Sequence, residues 1–315
     1  MIEVEHLSKT YGKKRAVNDI SFNINAGEIV GFLGRNGAGK TTTMNIMTGY
    51  ISATSGTVRV DGYDVLKNPL EVKKRIGYLP EHPPLYFDMT VYDYLMFCAE
   101  IKGVIRDKRR AHIEQIAETV GVSQVMDRIV GNLSKGYKQR VGLSQALIGN
   151  PPVLILDEPT VGLDPKQIIS IRKLIKDIGK KKQTIIVSSH ILSEIAEVCD
   201  RVIIINNGSL VAQDKISSIT QSGLPTRLIV RVLGQEKHVK KELREVYGIK
   251  SVDVIGMREA DSLDYLIETN GTTDVRKGVF NTLSRMNAPI LQLRSLDATL
   301  EDIFMNLTDD KEGEE

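Results

Sequence analysis

Tryptophan is absent from the 315 residues, and cysteine occurs only as Cys98 and Cys199. Two distant thiols make neither a disulfide framework nor a cysteine-rich zinc site, and they fit a reducing compartment. His6, His82, His112 and His238 fall at no metal-ligand spacing and are given no role. No apolar run approaches the roughly 18 residues that a membrane-spanning helix needs, so the chain is expected not to cross a bilayer. The opening MIEVEHLSKT has no basic stretch followed by a long apolar core, so no secretory signal is expected. Neither sign of charge dominates. Residues 1–220 carry 29 Lys and Arg against 23 Asp and Glu, and residues 221–315 carry 13 against 17. Neither part is basic enough to require nucleic acid, and no nucleic-acid partner is expected. The 41% hydrophobic content excludes a disordered chain.

What is present is an alternation of short apolar strands and amphipathic stretches through residue 215. Expected strands are Glu28–Leu33, Arg75–Leu79, Val153–Asp157, Thr184–Ser188 and Arg201–Ile205. Several are near-continuous in Val, Ile and Leu, the composition of strands covered on both faces. Ile113, Ile116, Ala117 and Val120 have helical spacing, as do Ile168, Ile171, Leu174, Ile175 and Ile178. Asp164-Pro165 reads as an N-cap followed by proline at the first helical position. Thr90 with Asp93 resembles a capping box for a helix running to about Lys102. The pattern predicts an α/β domain with a parallel central sheet over residues 1–216.

Asn207-Gly208 reads as a hairpin turn, and residues 217–225 as a polar linker. A second unit, 226–308, follows in the order βαββαβ. Its strands are expected at Leu228–Leu233, Lys250–Ile255, Tyr265–Thr269 and Ile290–Leu293, and its helices at Val239–Val246 and Val275–Met286. That is the order of a smaller, α+β ferredoxin-like domain. A short helix near Leu300–Leu307 and an acidic tail, 309–315, close the chain.

The strongest chemical signal is G-R-N-G-A-G-K-T: Gly34, Arg35, Asn36, Gly37, Ala38, Gly39, Lys40 and Thr41. It follows an apolar strand and precedes a helix, which is the setting a phosphate-binding P-loop requires. Its glycines let backbone N–H groups turn inward around a polyphosphate, and the helix dipole adds positive potential. Lys40 supplies a compact charge to the β- and γ-phosphates, and the Thr41 hydroxyl can ligate Mg²⁺. Thr42 continues the loop into the helix. The partner carboxylates lie at the end of V-L-I-L-D-E-P. Asp157 stands where a P-loop enzyme keeps the acid of its magnesium site, and Glu158 can orient or deprotonate water.

With these motifs in place, residues 2–215 resemble an ATP-binding cassette (ABC) ATPase. K-T-Y-G places Tyr11 where that family stacks an aromatic ring on adenine. L-S-K-G-Y, Leu133–Tyr137, occupies the position of the signature motif, with Ser134 and Gly136 retained. V-G-L-D, Val161–Asp164, resembles the D-loop, and S-S-H, Ser188–His190, the switch-histidine motif. Two departures stand out. Glu81 occupies a position where the family usually has glutamine. It can still ligate Mg²⁺ or a water, but it adds negative charge beside ATP. Lys135 and Tyr137 replace the usual Gly and Gln of the signature, and Lys135 is expected to face solvent. Y-L-P-E-H-P-P-L-Y, Tyr78–Tyr86, and S-L-D-A-T-L-E-D-I-F, Ser295–Phe304, resemble cassettes that pair with ABC-2 type permeases, especially the gliding-motility-type and multidrug-type export ATPases.

The resemblance implies a P-loop ATPase domain with a helical signature subdomain. It implies ATP and Mg²⁺ as cofactors, Glu158 as general base, and His190 holding the γ-phosphate and attacking water. It further implies a homodimer closing head-to-tail over two ATP molecules, so that Ser134 and Gly136 meet the other copy's nucleotide and Asp164 connects the sites. A separate integral-membrane permease would turn that motion into transport, with export favoured, and the chain would sit on the cytoplasmic face of the membrane. Leu85, Tyr86, Phe87, Tyr92, Tyr94 and Phe97 lie just beyond Glu81, either as core or as a partly exposed docking groove for that permease. The competing class is a soluble cassette working on ribosomes or DNA. A tandem translation-type cassette would show a second P-loop, and a DNA-repair relative a long coiled coil between Lys40 and Asp157. A GTPase would show N-K-x-D, which is absent. The second unit carries no P-loop, metal cluster or paired catalytic carboxylates, and is expected to be accessory.

Overall fold

The computed structural model describes residues 1–216, 218, 227–257, 259, 261–270 and 273–296. The chain divides into two compact units, Met1–Ile216 and a second from Ser217 onward.

In the first unit, β1 (Ile2–Tyr11), β2 (Lys14–Ile24), β4 (Ser55–Val60) and β5 (Tyr63–Asp64) form an antiparallel sheet in the order β2-β1-β4-β5. A second sheet follows the order β10-β9-β3-β8-β7-β6. It contains β3 (Ile29–Leu33), β6 (Ile76–Leu79), β7 (Val153–Leu156), β8 (Thr184–Ser189), β9 (Arg201–Asn206) and β10 (Ser209–Lys215). The five strands from β9 to β6 are parallel, and β10 returns antiparallel through the Asn207-Gly208 turn. Residues of β3, β7 and β8 are buried throughout, as continuous Val/Ile/Leu runs require in a sheet covered on both faces. One core cluster joins the sheets, with Ile2, Ile20 and Val60 from the first packed with Phe32, Ile155, Ile186 and Ile203 from the second.

Helices α1 (Lys40–Met47), α2 (Pro69–Arg75), α3 (Val91–Ile101), α4 (Arg106–Val120), α5 (Lys135–Leu147), α6 (Pro165–Gly179) and α7 (Leu192–Val198) complete this unit. The local signals explain their starts. Thr90 accepts the Asp93 N–H to cap α3, and Asp164 accepts the Gln167 N–H to cap α6 ahead of Pro165. Ser134 caps α5 by accepting from the Tyr137 N–H. Strand β6 and helix α5 approach so closely that a Cβ on Gly77 would lie 1.9 Å from the Ala146 carbonyl oxygen.

The second unit contains β11 (Arg227–Leu233), α8 (Glu236–Arg244), β12 (Ile249–Gly256), β13 (Ser262–Thr269), α9 (Arg276–Arg285) and β14 (Ile290–Leu296). The sheet order is β12-β13-β11-β14, all antiparallel, which is the ferredoxin-like arrangement. Val230, Tyr265 and Val252 pack from the sheet against Val239, Leu243, Val279 and Leu283 of the helices. Helix α8 starts three residues before the expected Val239, because the apolar spacing marks only its buried face. The linker 217–225, the helix near Leu300–Leu307 and the acidic tail fall largely or wholly outside the described residues. Among the described residues, no helix is long and apolar enough to cross a membrane.

Candidate active site

The adjacent parallel strands β3, β8, β7 and β6 end side by side, and each delivers a different chemical group at its carboxyl end. The P-loop leaves β3, His190 follows β8, Asp157 and Glu158 follow β7, and Glu81 follows β6 by two residues. The carboxyl edge of a parallel sheet is where α/β folds place their ligand crevice. A cleft of about 440 Å³ opens there. Arg35, Asn36, Gly37, Gly39, Lys40, Thr41, Thr42, Glu81, Glu158 and His190 line it. Tyr11, Lys14 and Ala16 of the antiparallel sheet form its other wall.

Two loop glycines have no substitute. At Gly39, with φ +106°, a Cβ would lie only 2.5 Å from the Ala16 carbonyl oxygen, and at Gly34 only 2.4 Å from that of Ile205. Ala38 is buried, and its carbonyl accepts from the Gly208 N–H at 3.0 Å, so the β9–β10 hairpin braces the loop.

Lys40 is buried. Its ammonium donates to the Gly34 carbonyl at 2.7 Å and the Arg35 carbonyl at 3.3 Å, and lies 3.3 Å from Glu158 Oε1. The other carboxylate oxygen of Glu158, Oε2, lies 3.0 Å from His190 Nδ1. Glu158 adopts a left-handed backbone, φ +47°, which a non-glycine residue takes only when its surroundings hold it there. The Ser188 hydroxyl is one such support. It accepts from the Glu158 N–H at 2.8 Å and donates to Asp157 Oδ1 at 2.5 Å.

Asp157 is fully buried, next in sequence to Glu158 of the cleft lining, and its Oδ2 has no hydrogen-bond partner. An orphaned carboxylate oxygen on the residue preceding cleft-lining Glu158, with Thr41 and Glu81 in the lining, fits a hard cation that takes its remaining ligands from phosphate and water. No group of three or more His, Cys, Asp or Glu side chains forms a metal cage among the described residues.

Ser134 and Gly136 are not among the residues lining the cleft. They start α5, where Gly136 packs against the Gln167 side chain so tightly that a Cβ would lie 2.6 Å from it. Tyr11 lines the cleft and keeps 48% of its surface exposed, with the Lys9 ammonium 5.1 Å from its ring centroid. The aromatic group beyond Glu81 splits: Leu85 and Tyr94 are core, whereas Tyr86, Phe87 and Phe97 are exposed. Lys14 and Ala16 of the cleft wall carry no motif and were not singled out by sequence; only their distance from Tyr11 could have signalled them. The Ser188 bridge was equally hidden, although the residue lies inside the S-S-H motif.

Comparison with known proteins agrees with this geometry. The profile of a family described as ABC transporter matches residues 17–161. The bacitracin transport ATP-binding protein BcrA of Bacillus licheniformis is 35% identical over 98% of this chain and 97% of its own length. The linearmycin resistance ATP-binding protein LnrL of Bacillus subtilis (strain 168) is 31% identical over 98% of both chains. A solved ATP-binding subunit of an ABC transporter superimposes with a TM-score of 0.65 at 29% identity, covering 70% of this chain and 92% of its own. A bacterial ABC transporter cassette solved as a dimer, MJ0796, gives 0.63 at 26% identity over 69% and 99%. With its P-loop, strand-end carboxylates and His190 gathered on one sheet edge, this chain belongs to the ABC transporter ATP-binding proteins and is an ATPase of that family.

Proposed function

We propose that the protein energises a separate membrane permease, for export, through closure of two copies over two ATP molecules. The contact of Glu158 with both Lys40 and His190 is the observation that carries the reading. ATP would enter with its base on the exposed ring of Tyr11 and its phosphates in the P-loop. The γ-phosphate would draw the Lys40 ammonium away from Glu158. The freed carboxylate would then accept a proton from the attacking water as general base. His190, hydrogen-bonded to that carboxylate, would hold the water and γ-phosphate in line. Thr41, Asp157 and Glu81 would hold Mg²⁺, which supplies charge neutralisation at the phosphates. Ser134 and Gly136, lying off the cleft of their own copy, would meet the partner's nucleotide, with Asp164 linking the two sites.

The relatives' names support export: bacitracin transport, linearmycin resistance and, for a Streptococcus pyogenes relative 37% identical over 68% of this chain, lantibiotic transport. The exposed Tyr86, Phe87 and Phe97 would receive the permease on the cytoplasmic face of the membrane. The second unit would be an accessory domain acting on the cassette or its dimer. Co-purification of the full chain from native membranes, with mass spectrometry of what accompanies it, tests the proposal. A polytopic membrane partner is expected. Ribosomal proteins or nucleic acid in its place would overturn it in favour of a soluble cassette.

A further inference from the structure

Glu194 lies on α7, four residues beyond His190, and its side chain is only 10% exposed. A charge this buried is unfavourable unless it is paired and fully hydrogen-bonded. Glu194 meets both conditions. Its Oε2 accepts the Thr160 hydroxyl at 2.7 Å and the Ser189 hydroxyl at 3.4 Å, and its Oε1 lies 3.1 Å from Arg172 Nη2 on α6. The Ser189 oxygen also accepts the Ile191 N–H at 3.0 Å, which bends the chain around His190.

The partners are placed pointedly. Thr160, itself buried, follows Glu158 by two residues, and Ser189 immediately precedes His190. One carboxylate therefore grips both backbone segments that carry the Glu158–His190 pair. Ser188 supports Glu158 from the strand side, and Glu194 holds the loop from the other. An apolar residue on α7 would fill the space but could not join the segments.

We propose that Glu194 is a positioning residue for hydrolysis. Through Thr160 and Ser189 it fixes the separation of Glu158 and His190, and through Arg172 it ties that separation to the helix that follows the D-loop. The proposal rests on the reading of Glu158 as general base. A displacement of about 1 Å at such a pair is enough to slow chemistry by roughly 100-fold without touching substrate binding.

The test uses the full-length chain and three variants. Thr160→Val removes the hydroxyl while keeping the side-chain shape, Thr160→Ser restores it, and Glu158→Gln serves as reference. For Thr160→Val, kcat is expected to fall about 10-fold or more while KM for ATP and nucleotide affinity stay within about 2-fold. Thr160→Ser is expected to recover most of the lost kcat, and thermal midpoints are expected to stay within a few degrees of one another. Wild-type turnover by Thr160→Val overturns the proposal. So does a loss that Thr160→Ser fails to repair, or one in which kcat, affinity and thermal midpoint fall together. Normal turnover by Glu158→Gln would instead remove the general-base reading, whatever Thr160 does, so the two failures are distinct.

Discussion

The Lys40 ammonium lies 3.3 Å from Glu158 Oε1, and both side chains keep less than a tenth of their surface. The cation that should receive phosphate is held by the carboxylate that should receive a proton from water. On the function proposed above, a γ-phosphate would compete with Glu158 for the Lys40 ammonium.

Replacing Lys40 with alanine is therefore expected to lower ATP affinity by at least about 100-fold, through loss of the compact phosphate counter-ion. A titration with labelled nucleotide measures it. Near-normal affinity would contradict the phosphate-loop assignment.

Glu158→Gln is expected to slow hydrolysis about 10²–10⁴-fold, the usual contribution of a positioned base. Affinity for ATP should be unchanged or tighter, because the neutral amide competes less for Lys40. With MgATP present, a dimer should accumulate on size exclusion with light scattering. Unaltered turnover would mean that another group activates the water.

Ser134 does not line the cleft of its own chain. Ser134→Arg is thus expected to leave monomer nucleotide binding intact and to stop turnover. Mixed with Lys40→Ala protein, it should form dimers in which one composite site has both its P-loop and its signature intact. Partial recovery of ATPase activity in the mixture, absent from either variant alone, is the expected outcome.

Burial pushes the Cys98 thiol up to about 11, and raises that of the buried Cys199 as well. A raised thiol pKa means less thiolate, so at pH 8 only about 0.1% of Cys98 is reactive. Iodoacetamide at that pH should leave both cysteines of the native protein largely unlabelled by mass spectrometry. Labelling of Cys98 should then climb about tenfold per pH unit toward 10. Rapid modification at pH 8 would show that the thiol is not shielded.

Gly77→Ala places a methyl carbon 1.9 Å from the Ala146 carbonyl oxygen, a backbone atom that no rotamer change can move. Strand β6 and helix α5 must separate, and a loss of about 2–4 kcal/mol is expected in denaturant unfolding. A midpoint within error of the parent would mean that the two elements part without cost.

The parallel strands were legible because burial on both faces leaves uninterrupted runs such as Val153–Leu156, and two helix starts because Thr90 and Asp164 carry capping chemistry in two or three letters; the Ser134 cap of α5 was not read from the sequence. The antiparallel sheet was not legible. In β1 the alternation of buried and exposed positions breaks between Val4 and Lys9, where the register with β2 shifts, so no clean period of two survives. Among the site residues, Lys40 and Glu158 announce themselves by neighbours adjacent in sequence. Glu194 does not, because Thr160 and Arg172 reach it from 34 and 22 positions away and only folding brings them together.

Tyr11, Lys14 and Ala16 stand on one sheet, while Lys40, Glu158 and His190 stand just beyond strand ends of the other. On the proposed pose, a nucleotide touching both would be a strut across the seam between layers that otherwise meet largely through apolar packing. Its arrival should slow amide exchange along residues 14–17 as much as in the P-loop itself. Hydrolysis would shorten the strut from within and product release would remove it, so the substrate would be a structural member of the molecule that consumes it, a brace that the next ATP restores.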